Sequence, residues 1–199
     1  MKNKIIGFMA PSVVELNDWP IEEPGDGEVL VKLACSTISS GTERANLIGE
    51  VNVAVFSQDT AAHFPRYCGY SSAGTVVKVG AGVHSVQPGD RVALSWSVHT
   101  AYCTLPESNV HKLISNTISF REAALLHIST FPLAAIRKCR LELGESALVM
   151  GLGVLGIMAV RLLKTAGAVP IVAVDPVAER REKALKFGAD HALDPFEEG

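Results

Sequence analysis

The sequence predicts an α/β protein that begins with a compact β-barrel and ends in a parallel βαβ unit. Three observations predict this fold. Short alternating apolar runs are separated by glycine turns as far as Leu113. From about Ser119 the spacing of apolar residues becomes helical. A glycine-rich turn then lies between an apolar strand and an apolar helix. We therefore expect one domain over residues 1–121 and a second over residues 122–199.

The barrel strands are predicted from alternation and from the turns that bound them. They are expected at Gly27–Cys35, at Ala73–Val79, after the Pro-Gly-Asp turn within Val86–Leu94, at Thr100–Leu105 and at Val110–Leu113. Residues 44–66 are expected to be loop with a short helix. The helical stretch over residues 120–140 is expected to break at Phe131-Pro132, because proline removes a helical N–H group.

The glycine-rich turn lies between an apolar strand at residues 146–150 and a helix, and a second strand follows and ends at Asp175. The turn and the start of its helix hold Gly151, Gly153, Val154, Leu155 and Gly156. This order is typical of a dinucleotide-binding, or Rossmann, unit. The first glycine permits the tight turn, the second lets the backbone approach a pyrophosphate, and the third lets the helix pack closely. The helix N-terminus offers N–H groups to the phosphates. The alternative is a glycine-rich turn of another α/β protein.

Asp175 favours NAD over NADP as the cofactor. A carboxylate there can accept hydrogen bonds from both adenosine ribose hydroxyls and repels a 2′-phosphate. On this basis, replacing Asp175 by alanine or serine weakens NADH binding, while NADPH binding improves or holds. Alternatively, Asp175 caps the helix that begins near Pro176. Arg180 and Arg181 are most simply a solvated helix face, but they could meet a 2′-phosphate, which would favour NADP. Arg180 is therefore counted with the cofactor-binding residues.

Composition excludes several other classes of function. The 199-residue chain is 48 % hydrophobic with a net charge of −3, so no basic surface points to nucleic acid or to an anionic membrane. The longest apolar stretch, Ala147–Val160, is too short to span a bilayer, and the N-terminus does not match a signal peptide. The cysteines form no CxxC pair, so a structural zinc lobe is not expected. We expect a cytoplasmic protein.

With the barrel first and the dinucleotide unit second, the chain resembles the medium-chain dehydrogenase/reductase superfamily, the alcohol dehydrogenase-like enzymes. The residues that carry the resemblance are Val29–Leu33, Gly69–Val83, Pro88–Val92, the glycine-rich turn, Gly167-Ala168 and Phe187–Asp190. It covers nearly the whole chain. It implies a GroES-like barrel, the N-terminal half of a Rossmann domain, a small-molecule substrate, and a homodimer in the full-length form.

Both family motifs that supply zinc ligands are changed in this sequence. The family's Cys-Gly-Thr-Asp corresponds to Ser40-Gly-Thr-Glu43, and its Gly-His-Glu corresponds to Gly69-Tyr-Ser71. A serine hydroxyl and a phenol are poor zinc ligands at neutral pH. The resemblance therefore implies a zinc-independent member with no bound metal. Within the superfamily, the chain is similar to a subgroup with an SGTE motif that includes bacteriochlorophyllide dehydrogenase.

Without a metal, another group must polarise the carbonyl or relay its proton. By resemblance, the candidate catalytic residues are Ser40, Thr42 and Tyr70, and Thr130 matches a residue near the nicotinamide. The alternative for Ser40 and Tyr70 is that they only fill the space of the lost ligands. Glu43 is expected to orient its loop by pairing with an arginine. His127 is expected to be a packed helix residue.

The leading hypothesis is a zinc-independent NAD(H)-linked oxidoreductase that transfers hydride between nicotinamide and a carbonyl or alcohol carbon. Two alternatives remain: a quinone- or enoyl-type reductase of C=C bonds, and a nucleotide-binding protein without catalysis. A complete dinucleotide fold has about six parallel strands, whereas this sequence predicts two or three. We therefore expect the chain to correspond to the N-terminal portion of a longer protein. Taken alone, it is expected to bind adenine nucleotides weakly and to lack turnover.

Overall fold

The structure of the chain is a computed structural model that describes residues 2–51 and 63–197. The chain divides into two compact units, Met1–Ile128 and Ser129–Gly199. The boundary expected from the sequence, between residues 121 and 122, lies slightly before this division. Within the described residues, no helix is long and apolar enough to cross a membrane.

The first unit is built on antiparallel β-strands. In chain order the strands are β1 (Asn3–Ala10), β2 (Val13–Trp19), β3 (Glu28–Ser36), β4 (Arg66–Tyr67), β5 (Ser71–Val79), β6 (Arg91–Ser95), β7 (Tyr102–Pro106) and β8 (Val110–Lys112). One sheet has the order β7-β3-β5-β6-β8, and a second has the order β2-β1-β4. Fully buried valines of β3, β5 and β6 form the core of the larger sheet. The five predicted barrel strands are confirmed, and all lie in that sheet.

The hairpin of β1 and β2 is an element that the sequence pattern does not predict. The apolar residues of β2 are largely exposed. The strand therefore lacks the alternation of buried apolar and exposed polar residues by which strands are predicted. The hairpin turns at Ser12, which has a left-handed φ of 62°. On the other side of β1, the N–H of Ile6 donates to the carbonyl of His99 at 3.0 Å. This pairing depends on residues that are distant in sequence.

Two helices lie within the first unit, and a third spans the boundary between the units. They are α1 (Ser40–Ile48), α2 (Phe120–Ala123) and α3 (Leu126–Cys139). Helix α1 begins before the region predicted as loop with a short helix, and it ends at Gly49, whose φ of 81° is left-handed. Residues 52–62 of that predicted region lie outside the described residues.

The predicted helix break at Phe131-Pro132 is wrong. Pro132 lies inside α3, and the helices separate earlier, at Ala124. The carbonyl of Ala124 accepts hydrogen bonds from Thr37 Oγ1 at 2.8 Å and from Ser71 Oγ at 2.6 Å. These two hydroxyls of the first unit occupy a carbonyl that would otherwise accept a helical hydrogen bond if α2 continued. The break between the helices is therefore set by tertiary contacts at Ala124, and Pro132 does not cause it.

The second unit holds a parallel three-stranded sheet with α-helical crossovers. In chain order its elements after α3 are β9 (Ala147–Met150), α4 (Val154–Ala166), β10 (Ile171–Val174), α5 (Ala178–Phe187) and β11 (His191–Leu193). The sheet order is β11-β10-β9. Ile171 and Ala173 of the central strand are fully buried in the same core cluster as Val160 and Leu163 of α4. The predicted βαβ unit and its short third strand are confirmed.

Candidate active site

The glycine-rich turn joins β9 to α4, and its glycines occupy different environments. Gly151 has a left-handed φ of 85°, and its N–H donates to the carbonyl of Val174 at 2.8 Å. A Cβ atom on Gly156 would lie 1.9 Å from the carbonyl oxygen of Gly151, so α4 packs too closely on the turn for any side chain there. A Cβ atom on Gly153 would meet nothing within 4 Å. The turn therefore combines a tight bend, close helix packing and an open space.

The N-terminus of α4 is suited to an anion. Gly153 is the N-cap, and the first turn of the helix carries no acidic residue. The first N–H groups of a helix have no partner inside it, and the helix dipole is positive at this end. Val154 and Leu155, which open the helix, are about half exposed. The open space at Gly153 and these donors together fit the pyrophosphate of a dinucleotide.

Asp175 follows β10 directly and is buried, with 3 % of its surface exposed. Its Oδ2 accepts the N–H of Leu152 and its Oδ1 accepts the N–H of Val177, each at 2.8 Å. These two hydrogen bonds lower the pKa of Asp175, and the guanidinium of Arg180 adds to the effect. The carboxylate therefore ties the glycine-rich turn to the start of α5. The sequence does not reveal this tether.

The two arginines of α5 are more than a solvated helix face. Arg180 Nη1 lies 3.4 Å from Asp175 Oδ2, and its side chain stays half exposed. Arg181 is less exposed and donates to the carbonyl of Asp175 and to Asp194 Oδ2, both at 2.7 Å. Arg181 therefore stabilises the second unit, whereas Arg180 places a cation beside the carboxylate that is predicted to hold a ribose.

In the first unit, Ser40 and Thr42 lie in the first turn of α1, and both are exposed. The N-cap residue Ser39 lies beside them, and its hydroxyl donates to Thr42 Oγ1 at 3.2 Å. Two of the predicted catalytic hydroxyls are therefore carried by one helical turn. Their catalytic roles stay predictions.

Glu43, the next residue of α1, is buried and pairs with a histidine, not with the expected arginine. Its Oε2 lies 3.0 Å from Nε2 of His99, and Nδ1 of His99 lies 2.7 Å from Oγ of Ser36. The other carboxylate oxygen accepts the N–H of Ser39 at 2.8 Å. The buried chain Ser36–His99–Glu43 thus holds the start of α1 against β3. Sequence reasoning misses it because its members are far apart in the chain.

We expect the Glu43→Ala variant to lower the free energy of unfolding of the first unit by about 3 kcal/mol. The substitution leaves the ring nitrogen of His99 and the N–H of Ser39 without their buried partner, and such unpaired groups are costly. Urea unfolding monitored by circular dichroism would measure the change.

The matched controls are Glu43→Gln, which keeps an acceptor at this position, and Glu50→Ala at an exposed site just after the same helix. The first should cost less than the alanine variant, and the second about 0.5 kcal/mol or less. Equal stabilities for Glu43→Ala and Glu50→Ala would contradict the role assigned to the buried chain.

Tyr70 lies just before β5 in a group of three aromatic side chains. Its ring centroid is 5.5 Å from that of His127 and 6.4 Å from that of Trp96, and the rings of Trp96 and His127 are 4.8 Å apart. Burial lowers the pKa of His127, with a smaller contribution from His111, so the neutral imidazole is favoured at neutral pH. As predicted, His127 is a packed residue of α3. Trp96 is missed by sequence reasoning.

The remaining predicted residue, Thr130, lies at an exposed position of α3 in the second unit. Its place near a nicotinamide stays a prediction.

Among residues 2–51 and 63–197, no group of three or more His, Cys, Asp or Glu side chains could hold a metal ion. Cys68 remains a thiol at neutral pH, because burial and the charge of Glu43 raise its pKa to about 11.

Two protein-family profiles match this chain. The profile described as the alcohol dehydrogenase GroES-like domain matches residues 25–132, more than half of the sequence. The chain belongs to the alcohol dehydrogenase-like superfamily. A second profile of this superfamily, described as zinc-binding dehydrogenase, matches residues 154–199. That second match includes neither Ser40 nor Tyr70, so it carries no information on the changed ligand positions.

Curated and solved members of the alcohol dehydrogenase-like superfamily resemble this chain at low identity. Sorbitol dehydrogenase from Bos taurus is 29 % identical, and the match covers 92 % of this chain and 58 % of the relative. A quinone oxidoreductase from Pseudomonas syringae pv. Tomato is 26 % identical with a TM-score of 0.81, covering 100 % of this chain and 60 % of that structure. The chain thus spans about three fifths of the length of these relatives.

Two further solved structures of the superfamily contain a nicotinamide cofactor. A short chain alcohol dehydrogenase from Escherichia coli complexed with NADH has a TM-score of 0.84 at 23 % identity, covering 98 % of this chain and 63 % of that structure. A zinc-binding dehydrogenase from Sinorhizobium meliloti bound to NADP has a TM-score of 0.83 at 22 % identity, covering 98 % and 62 %. These two confirm the fold of a GroES-like barrel followed by a Rossmann unit.

Proposed function

We propose that the protein is a zinc-independent, NAD(H)-linked oxidoreductase that transfers hydride between nicotinamide and a carbonyl or alcohol carbon of a small molecule. The observation that carries the proposal is the glycine-rich turn, which combines the open space at Gly153, the donor end of α4 and the carboxylate of Asp175. The names of the curated relatives, which are dehydrogenases, support it. From the family resemblance we also infer that the protein forms a homodimer.

The second unit would hold the cofactor through its backbone and one carboxylate. The first N–H groups of α4 would bind the pyrophosphate next to Gly153. Oδ1 of Asp175 accepts only the N–H of Val177 among the contacts the structure gives it, and Oδ2 accepts the N–H of Leu152 and a long hydrogen bond from Arg180, so the carboxylate can also accept a ribose hydroxyl at Oδ1, and at Oδ2 in place of Arg180. When bound, the nicotinamide supplies or accepts the hydride.

In the first unit, polar side chains would take over the role that a metal ion has in zinc-dependent members of the superfamily. Tyr70 would donate a hydrogen bond from its phenol to the substrate oxygen, and the hydroxyls of Ser40 and Thr42 would pass the proton between substrate and solvent. Glu43 takes no part in proton transfer. It holds the turn that carries the two hydroxyls, because both of its oxygens are engaged by His99 and Ser39.

A titration with NADH and NADPH tests the cofactor. We expect the chain to bind NADH about tenfold more tightly than NADPH, because Asp175 repels a 2′-phosphate. In the Arg180→Ser variant, NADPH binding should weaken further while NADH binding holds, since Arg180 is the cation beside that carboxylate. A wild-type preference for NADPH would overturn the choice of NAD, and binding of neither would overturn the proposal.

The zinc-independence of the proposed enzyme predicts well under one zinc per chain in purified protein. The reason is chemical: Ser40, Tyr70 and Ser71 stand at the positions that resemble the family's ligand motifs, and none is a good ligand for Zn²⁺. Elemental analysis by mass spectrometry would measure the content. Dialysis against a chelator should leave the melting temperature unchanged, and about one tightly held zinc per chain would refute the prediction.

A second candidate function is the reduction of a C=C bond conjugated to a carbonyl. The similarity to a quinone oxidoreductase at 26 % identity favours it. The same donors would serve, because the carbonyl needs only to be polarised. Product analysis with an unsaturated ketone separates the two candidates, since one gives an unsaturated alcohol and the other a saturated ketone.

A further inference from the structure

The indole of Trp96 is the unusual feature of the first unit. It is 63 % exposed, although its ring belongs to the aromatic group with Tyr70 and His127. Burying a large apolar side chain normally stabilises a folded protein. The fold instead leaves much of this side chain in contact with solvent.

The backbone at Trp96 is held in a conformation that presents the indole outwards. Its φ of 59° lies in the left-handed region, which bulky residues rarely adopt and which costs free energy. The N–H of Trp96 donates to the carbonyl of Tyr70 at 2.8 Å.

The serines on either side of Trp96 are both buried. Ser97 Oγ accepts a hydrogen bond from Ser72 Oγ at 2.7 Å, and Ser95 Oγ lies 3.0 Å from Nε2 of His111. The neighbours of Trp96 therefore fix the strained conformation. Strained residues held in this way cluster at ligand-binding sites.

We propose that Trp96, with Tyr70 and His127, binds a planar aromatic ring of the substrate, which stacks on the exposed indole while its carbonyl oxygen accepts a hydrogen bond from Tyr70. This inference rests on the proposed function and adds the substrate class, an aromatic ketone or aldehyde or the corresponding alcohol. A flat conjugated ring gains offset stacking on an indole, whereas a saturated ring of the same size gains only ordinary apolar contact. The neutral imidazole of His127 and the phenol of Tyr70 give the group no net charge to attract an ion.

Binding of acetophenone, compared with cyclohexyl methyl ketone, tests this inference without any turnover. The two ketones share the carbonyl and differ in the planarity of the ring. The chain has two tryptophans, Trp19 and Trp96, so its ¹H–¹⁵N spectrum shows two indole N–H signals. The Trp19→Phe variant assigns the remaining signal to Trp96. We expect a saturable shift of that signal with acetophenone, at an affinity about three- to tenfold higher than for the saturated ketone.

The variants separate stacking from other binding. Trp96→Leu should remove the preference for acetophenone. Trp19→Phe should retain it, because the indole of Trp19 packs against Tyr67 instead. Equal affinities for the two ketones in the wild-type chain, or no response of the Trp96 signal to either, would overturn the inference even if Trp96→Leu fails to fold. A parallel NADH titration keeps the two proposals apart: NADH binding without ring selectivity refutes only the substrate class, and ring selectivity without NADH binding refutes only the proposed function.

Discussion

Replacing Gly156 with alanine is expected to disrupt the second unit whether or not NADH is present. The added methyl group would lie 1.9 Å from the carbonyl oxygen of Gly151, which is a backbone atom and cannot rotate away. Alanine gains about 1 kcal/mol over glycine in helix propensity, but overpacking against backbone costs about 3 kcal/mol or more. The steric cost therefore dominates. Urea unfolding should show a lower midpoint for the second unit, and NADH binding should be lost with it.

The Gly153→Ala variant separates folding from cofactor binding. A Cβ atom there meets nothing within 4 Å, and the φ of −69° suits any residue. We expect its stability to stay within about 1 kcal/mol of the wild type. Its methyl group would occupy the space through which a pyrophosphate approaches the backbone, so NADH affinity should fall by roughly tenfold or more. A stable Gly156→Ala variant, or normal NADH binding by Gly153→Ala, would show that these roles are wrongly assigned.

The Asp175→Asn variant is expected to weaken both NADH and NADPH binding, with the larger loss for NADH. An asparagine has one acceptor oxygen, so its amide group would face either the N–H of Leu152 or that of Val177, and one donor would lose its partner. The sequence alone predicts that NADPH binding improves or holds when Asp175 is replaced by alanine or serine. The structure changes that expectation, because the carboxylate also positions the glycine-rich turn that both cofactors would use. We expect NADH affinity to fall by roughly tenfold or more.

Isothermal titration with both cofactors would measure the effect of Asp175→Asn, with Glu179→Gln as the matched control. Glu179 is an exposed acid in the first turn of α5 that pairs with Lys183, and its substitution should change neither affinity. Unchanged NADPH binding by Asp175→Asn would contradict the tether and restore the simpler view of Asp175 as a ribose ligand.

The tether also has a pH dependence of defined sign. The pKa of Asp175 is lowered in the folded chain, so its hydrogen bonds contribute fully above the ordinary carboxyl pKa of about 4. The contribution is lost as the pH falls through the lowered folded-state pKa. The difference in stability between wild type and Asp175→Asn should therefore be constant near neutral pH and shrink only in acid.

The sequence by itself determined the elements whose signals are local. The five strands of the larger barrel sheet follow from alternation and glycine turns, and the second unit follows from the spacing of Gly151, Gly153 and Gly156 between apolar runs. In each case the residues that form the element are adjacent in the chain. Backbone geometry requires glycine at two of these positions, because Gly151 has a left-handed φ and a Cβ atom on Gly156 would clash with the turn, whereas the fold itself leaves room for a side chain at Gly153.

Only the tertiary structure decided how residues distant in the chain are paired. The partner of Glu43 is His99, the carbonyl that ends α2 is held by Thr37 and Ser71, and Trp96 joins His127 and Tyr70. None of these contacts has a spacing signal, since each brings together elements whose relative placement is set by the packing of the barrel. Asp175 illustrates both what the sequence determines and what only the tertiary structure decides. Its position after β10 could be predicted from the sequence, whereas its burial and its hydrogen bond to Leu152 arise because parallel strands bring their C-terminal ends to one edge of the sheet.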